Sequence, residues 1–292
     1  MRAVTCVLAV DIGGTKVAAA RVDSSGRITD RHAVPTPQSF DPEEVWRSVA
    51  AVAGAALTGG PVVACGCGCG GPMASGGTAV SPLNIGAWRD FPLVARLAAM
   101  SGVPAFVDND AKALALGEGW RGAAAGQRDY LAMVVSTGVG GGIVLDGRLL
   151  DGALGNAGHI GHVIVDPDGA ACACGARGCL EAVASGPSIE RRTGRPAAAA
   201  GPAVREETGR FVGRAVADVA NLLDLRLAVV AGSVALGFGD LFFQAAQAEL
   251  DASARLDFSL GARIVPAGLG GDGPLVGAAA VAWRALGAPI VG

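Results

Sequence analysis

The sequence predicts a mixed α/β chain made of two related lobes. Two segments carry the prediction. "VLAVDIGGTKVAAARVDSSGRI", from Val7, runs through an apolar stretch, a Gly turn, a second apolar stretch, a Ser-Ser-Gly turn and a short third run. "LAMVVSTGVGGGIVLDGRLLDG", from Leu131, repeats that rhythm with an Asp-Gly second turn. Each reads as a three-stranded antiparallel meander whose first turn is rich in Gly, and one such unit in each half points to two related halves. A third observation is size: 292 residues, 51% apolar and 17% charged, can bury a core in each half.

The intervening elements have legible ends. Asp41 caps a helix that has Pro42 in its first position and Glu43 and Glu44 in its first turn. A second helix runs from about Phe91 to a stop at Gly102. "VPAFVDNDAKALALGEG" gives a strand ending in polar residues and then an Ala/Leu-rich helix. Residues 191–207 lack strong periodicity and read as a loop or linker. Long helices are expected from about Ala203 to Leu225 and from about Val234 to Ala254, flanking the strand "RLAVVAG". Residues 262–268 read as the last strand, and a final helix starts at Pro274.

Composition excludes several classes. A net charge of −3 offers no electrostatic footprint for nucleic acid or an anionic membrane. Charges, Gly or Pro interrupt every apolar run before it reaches the length of a membrane span. "MRAVTCVLAVDIGG" reads as a core strand and not a signal peptide, so a reducing cytoplasm is the expected compartment. Seven cysteines, an odd number, then favour metal binding or packing over a disulfide framework. In "CGCGCG" (65–70), alternate spacing puts Cys65, Cys67 and Cys69 on one strand face with no His, Asp or Glu nearby. Core packing accounts for them, and no metal is assigned there.

Gly13, Gly14 and Thr15 lie in a strand–turn–strand context, which is not the strand-to-helix context of a P-loop. Gly138, Gly140, Gly141 and Gly142 do not open a helix either. Either turn alone reads as an ordinary hairpin. As a matched pair they read as two anion cradles, because glycine lets backbone N–H groups approach a phosphate closely. They would grip one nucleotide from both lobes, with Asp11 holding Mg²⁺ through water.

"DIGGTK" (11–16) resembles the first phosphate loop of the sugar kinase, hexokinase and actin superfamily. The block from Val135 to His162, "VSTGVGGGIVLDGRLLDGALGNAGHIGH", resembles the signature of the ROK family (repressors, open reading frames and kinases). With "FVDNDAKALALGE", "CACGARGCLE" and "GLGGDGPLVGAAA", the resemblance spans essentially the whole chain. It implies a two-lobed, actin-like or hexokinase-like ATPase fold with ribonuclease H-like lobes. Residues 1–112 would form a small N-terminal lobe, joined by a C-terminal helix over 274–292. Residues 113–273 would form a larger lobe with a zinc-stabilised loop.

The implied activity is ATP- and Mg²⁺-dependent phosphorylation of the 6-hydroxyl of a hexose or hexosamine. Asp110 matches the catalytic base, which deprotonates the attacking hydroxyl, and its alternative role is to cap the following helix. Gly71, Asn84, Asn109, Asp110, His159, His162 and Glu181 match sugar-binding positions. Asp11, Gly13, Gly14, Thr15, Lys16, Thr137, Gly138 and Gly140 match the phosphate side, with Gly232 and Ser233 lining the adenosine. His162, Cys172, Cys174 and Cys179 match the family's zinc ligands, and three thiolates with one imidazole form a closed tetrahedral set suited to structural Zn²⁺. Where the family's glucokinases read "AGEIGH", this chain has "AGHIGH", with His159 replacing a carboxylate. The family's bacterial N-acetylmannosamine kinases look similar there, which pulls the expectation from glucose toward an amino or N-acyl sugar.

Other classes fit less well. The family's sugar-responsive repressors carry a winged-helix domain ahead of the kinase-like body, and the ten residues before Asp11 cannot supply one. A binding module without catalysis would lack the base, which is present as Asp110. A retaining glycosidase would need a second acid placed around a glycosidic bond. The expected partners are a sugar and ATP, with no nucleic acid and no membrane. The family resemblance implies a homodimer or higher homo-oligomer.

Overall fold

Alternating apolar residues and a tight Gly turn make the first meander: β1 (Cys6–Ile12), β2 (Lys16–Asp23) and β3 (Ile28–Pro35). This computed structural model describes residues 5–291. The first four residues of the expected N-terminal lobe, and the last residue of the expected 274–292 helix, lie outside that range. Next come α1 (Pro42–Leu57), β4 (Cys65–Cys69), α2 (Leu93–Ser101), β5 (Ala105–Asn109) and α3 (Asp110–Arg121). The ends follow local chemistry. The Asp41 carboxylate accepts the Glu43 N–H at 2.9 Å to start α1, and Gly102 stops α2 in the left-handed conformation.

The second meander is β6 (Tyr130–Val135), β7 (Val139–Leu145) and a short β8 (Arg148–Leu149). It is followed by α4 (Leu180–Ala184), α5 (Gly186–Thr193), α6 (Pro202–Leu223), β9 (Leu227–Ala231), α7 (Ser233–Phe238), α8 (Asp240–Ser253), β10 (Arg263–Pro266) and α9 (Gly273–Ala285). Two five-stranded sheets result, ordered β3-β2-β1-β4-β5 and β10-β9-β6-β7-β8. Among the described residues, no helix is long and apolar enough to cross a membrane.

The chain divides into two units. The first takes the chain up to Gly126, the excursion Leu149–Ala157 and the chain from Leu269; the second takes Gln127–Arg148 and Gly158–Gly268. The expected boundary at 112/113 falls inside α3, which stays whole in the first unit. Packing explains why: α3 meets α9 at Gly117 and Gly277, where a side chain on Gly117 would stand 2.9 Å from the Gly277 nitrogen. Both helices therefore belong to the first sheet. Two helix expectations also change. Residues 191–207 are not one loop, since α5 runs to a left-handed stop at Gly194 and α6 begins at Pro202. The helix expected over 234–254 breaks at Gly239 (φ 63°, ψ −146°) into α7 and α8.

In the first unit β1, β4 and β5 are parallel, and their register sets Asp11, Gly68 and Asp108 side by side. β4 has two unlike faces. Cys65, Cys67 and Cys69 are fully buried among Leu8, Val10 and Ile12, and burial pushes the Cys65 thiol up to about 12. They are packing residues, as expected. The opposite face is Gly66 and Gly68, and it admits helices: a Cβ on Gly66 would overlap the Ala278 carbonyl and lie 2.9 Å from Ala282 Cβ in α9. Gly66→Ala should therefore destabilise the protein by about 2 kcal/mol in urea unfolding, the usual penalty for overpacking a closed contact. A loss indistinguishable from zero would mean α9 is not seated on β4.

Candidate active site and metal-binding loop

In the first unit the candidate residues collect at the carboxyl ends of the parallel strands, where open α/β sheets bind ligands. Asp11 sits near the end of β1. Gly13, Gly14 and Thr15 form the β1–β2 turn, which the Gly13 N–H closes on the Lys16 carbonyl at 3.0 Å. Lys16 opens β2 and is exposed. Asn84 lies against this turn, 2.9 Å from where a Gly14 Cβ would be. Gly71 follows β4, and a Cβ there would sit 3.2 Å from Asn109 Nδ2. Asn109 is the N-cap of α3: its side-chain oxygen accepts the Ala111 N–H at 3.0 Å, which Asp110 Oδ1 also accepts at 2.8 Å. Asp110 thus does take part in capping, and capping does not exhaust a carboxylate with two oxygens.

The electrostatics there are unusual. Burial, reinforced by the negative charge of Asp110 and opposed by Lys16, pushes the Asp11 carboxyl up to about 7. Gly68 makes the crowding possible, because its absent Cβ would lie 3.6 Å from Asp110 Cα and 3.9 Å from Asp11 Oδ1. Two carboxylates that resist ionising together are a donor set that a hard divalent cation would relieve. Asp108 points elsewhere. Its Oδ1 accepts the Asn109 N–H at 2.8 Å and pairs with Lys112 Nζ at 3.2 Å.

In the second unit, Thr137 and Gly138 form the β6–β7 turn, closed by the Ser136 N–H on the Gly138 carbonyl at 2.9 Å. Gly140 continues into β7. Gly232 (φ 102°) packs on the end of β6, where any Cβ would overlap the Val135 carbonyl. Ser233 then opens α7, and its hydroxyl meets that of Ser136 at 2.9 Å. The adenosine-side candidates therefore adjoin the phosphate-side turn.

The metal loop lies in the same unit. The ligand atoms of His162, Cys172, Cys174 and Cys179 all fall within 4.8 Å of one another. The Cys174 and Cys179 sulfurs are 3.7 Å apart, and so are the Cys172 sulfur and His162 Nδ1. A tetrahedral zinc with bonds of about 2.3 Å to sulfur and about 2.0 Å to nitrogen has edges of roughly 3.5–3.8 Å. The four residues could hold one such ion.

Local backbone shapes the cage. Ile164 bridges Cys179, Ala171 bridges Arg177, and Gly175 turns back onto the Cys172 carbonyl at 3.0 Å. Cys179 then leads into α4, whose first turn carries Glu181. Glu181 Oε2 accepts the Val139 N–H at 2.9 Å and stands 3.1 Å from a Gly138 Cβ position. The "AGHIGH" turn is held as tightly. Side chains at Gly158 and Gly161 would overlap the Gly141 and Val139 carbonyls, so this turn lies flush on β7. His159 and His162 project from it with ring centroids 6.1 Å apart.

A model of the ROK family matches residues 7–285. The chain belongs to the ROK family. It is similar to an N-acetylmannosamine kinase from Citrobacter koseri, 42% identical over 256 residues, 80% of this chain and 85% of the relative. Among solved structures it is similar to a ROK family glucokinase from Streptomyces griseus in complex with glucose and AMPPNP (32% identity, 94% of this chain and 98% of that one, TM-score 0.82). A ROK hexokinase from Thermus thermophilus is similar at 34% identity, over 97% of this chain and 99% of that one, also with a TM-score of 0.82. The two sheets with their helices are thus the expected hexokinase-like fold.

Sequence reasoning passed over Lys112 and Asp151 in this ROK chain. Lys112 Nζ lies 2.7 Å from Asp151 Oδ1 as well as beside Asp108. The four-residue spacing from Asp108, in β5, to Lys112, in α3, was the available signal; Asp151 had none.

The raised Asp11 carboxyl has a pH consequence. The native chain keeps a proton there that the unfolded chain releases near 4, so stability falls as pH rises from 4 to 7 and stays reduced above. Metal- and nucleotide-free protein should lose ~2 kcal/mol more in urea between pH 5 and pH 8 than Asp11→Asn does. Parallel pH profiles for the two proteins would contradict the crowding.

Proposed function

We propose that this chain transfers the γ-phosphoryl group of ATP to the 6-hydroxyl of an N-acyl or amino hexose, with N-acetylmannosamine the leading candidate. The observation that carries the reaction class is the carboxylate pair of Asp11 and Asp110 at the carboxyl ends of parallel strands. One group is set to deprotonate a hydroxyl and the other to hold a cation. Phosphoryl transfer needs little covalent help from protein: it needs in-line positioning, a base and neutralised phosphate charge. Asp110 takes the proton of the sugar hydroxyl as its oxygen bonds to the γ-phosphorus and the bond from that phosphorus to the β–γ bridging oxygen breaks, releasing ADP. Asp11 would hold Mg²⁺, which neutralises phosphate charge when bound. N–H groups of the Gly13–Thr15 and Thr137–Gly140 turns would face phosphate oxygens, and Gly232 and Ser233 the adenosine.

Sugar recognition falls to Gly71, Asn84, Asn109, His159, His162 and Glu181. His162 can serve twice, since Nδ1 at the metal leaves Nε2–H to donate to a hydroxyl. Glu181, with Oε2 on Val139, has Oε1 to accept from another. Zinc held by His162, Cys172, Cys174 and Cys179 would supply no open coordination position, only a fixed loop. His159 brings a ring donor where a carboxylate would accept from two hydroxyls. That difference, with the resemblance to the Citrobacter koseri kinase, supports an N-acyl sugar. Glucose is the second reading, favoured by the glucose complex of the Streptomyces griseus relative. A homodimer working in the cytoplasm is the expected setting.

A coupled ADP-release assay on N-acetylmannosamine, N-acetylglucosamine, glucose, mannose and kanosamine tests the reading, with N-acetylmannosamine expected to give the highest kcat/KM. His159→Glu should move that preference toward glucose, and an unmoved ranking would remove position 159 from specificity. Asp110→Asn should lower kcat by about a thousandfold while sugar binding by calorimetry persists; near-normal turnover would leave only a binding role. Cys172→Ser should lose bound zinc and sugar affinity together, and normal sugar affinity in a zinc-free variant would count against the fixed-loop role.

A further inference from the structure

We infer that Lys112 is a positioning residue: its buried ammonium ties the turn carrying Asn109 and Asp110 to the excursion that leads into the His159 turn. The inference rests on the kinase reading above. The Lys112 side chain is only 3% exposed. A buried ammonium is costly unless its three N–H groups are matched, and here three acceptors surround it: Asp108 at 3.2 Å, Asp151 at 2.7 Å and the Gly155 carbonyl at 3.2 Å. Asp108 Oδ1 also accepts the Asn109 N–H at 2.8 Å. One carboxylate oxygen therefore joins the ammonium to the backbone of the proposed sugar ligand, next to the proposed base.

On its other side the ammonium holds residues 151 and 155. The Ala157 N–H closes that excursion on the Asp151 carbonyl at 3.0 Å, and the chain proceeds through Gly158 to His159. Lys112 is two residues from Asp110 along α3, on a different helix face, so it acts through Asn109 and the excursion without touching substrate. A merely structural ion pair behaves differently. Removing one partner of a buried pair costs stability, but a pair that serves the fold alone has no reason to sort that loss among kinetic constants.

Kinetics of the full-length protein with ATP and its best sugar separate the two roles. Lys112→Met should raise the sugar KM and lower kcat, each by about tenfold, with the ATP KM unchanged, as a sub-ångström misplacement of reacting groups would. Lys112→Arg, which keeps the charge, should recover part of both losses. Asp151→Asn weakens the excursion's side of the clasp, where the Gly155 carbonyl remains, at a half-exposed residue that also lies 3.8 Å from Arg284, and should raise the sugar KM while leaving kcat near that of wild type. Calorimetric sugar affinity and thermal melting accompany each variant. The inference is overturned if Asp151→Asn leaves the sugar KM unchanged, if folded Lys112→Met keeps all three constants, or if its loss of kcat only tracks its loss of folded protein. A wild-type protein that binds sugars without phosphorylating them defeats the kinase reading alone, and sugar affinities of the variants then test Lys112. A wild type that binds no sugar defeats both.

Discussion

The interaction on which the second unit's chemistry depends is the hydrogen bond from the Val139 N–H to the Glu181 carboxylate, 2.9 Å long. Val139 begins β7 directly after the Gly-rich turn, and Glu181 lies in the first turn of α4, two residues beyond Cys179, one of the four residues that could hold a metal. A carboxylate near a helix N-terminus is favourably placed by the helix dipole, and an ionised acceptor strengthens its bond to an amide. One short contact therefore couples the loop that carries the Cys/His cluster to the Gly-rich turn. The "AGHIGH" turn joins the same assembly by lying on β7 through Gly158 and Gly161. With a metal bound, the Cys/His cluster, histidine pair and Gly turn would behave as one rigid block.

The first unit solves a different problem, that of bringing acids together. β4 alternates thiol and glycine, so one face fills the core while the other is bare enough for α3 and α9 to approach. That bareness lets Asp11 and Asp110 crowd and raises the Asp11 carboxyl. The cost is borne by dense small-residue packing between α3, α9 and the sheet, the kind of contact in which a single added methyl is felt. The two acids meet where side chains are smallest.

How much of this was legible in the sequence follows from how local each feature is. The meanders showed through strand alternation and Gly turns, and the candidate metal cage through three cysteines within residues 172–179, the first of them ten residues after His162. Asp41 and Gly102 declared helix ends by chemistry that acts over one turn, whereas the cap of α3 proved to be Asn109, one residue before the Asp110 weighed for that role. The break at Gly239 was hidden because Gly237 and Gly239 do not interrupt the apolar pattern around them, and the positive φ of Gly239 appears only in the folded backbone. α5 was obscured because its signals, Ser185 and Gly194, flank a polar stretch with few apolar residues. Contacts between distant parts of the chain were invisible: Glu181 with Val139, Lys112 with Asp151, and α3 with α9, which keeps α3 in the first unit. Separate roles for Asp11 and Asp110 were expected, whereas their crowding and the glycine that permits it were not.

Amide hydrogen exchange on the metal-loaded protein, before and after removal of the metal by a chelator, tests the rigid-block claim most directly. If the cage holds Glu181 and Glu181 holds the turn, metal loss should speed exchange at Val139 and its neighbours over 136–140 as well as in the loop over 162–181. Faster exchange confined to the loop, with Val139 still protected, would contradict the coupling on which this account of the second unit stands.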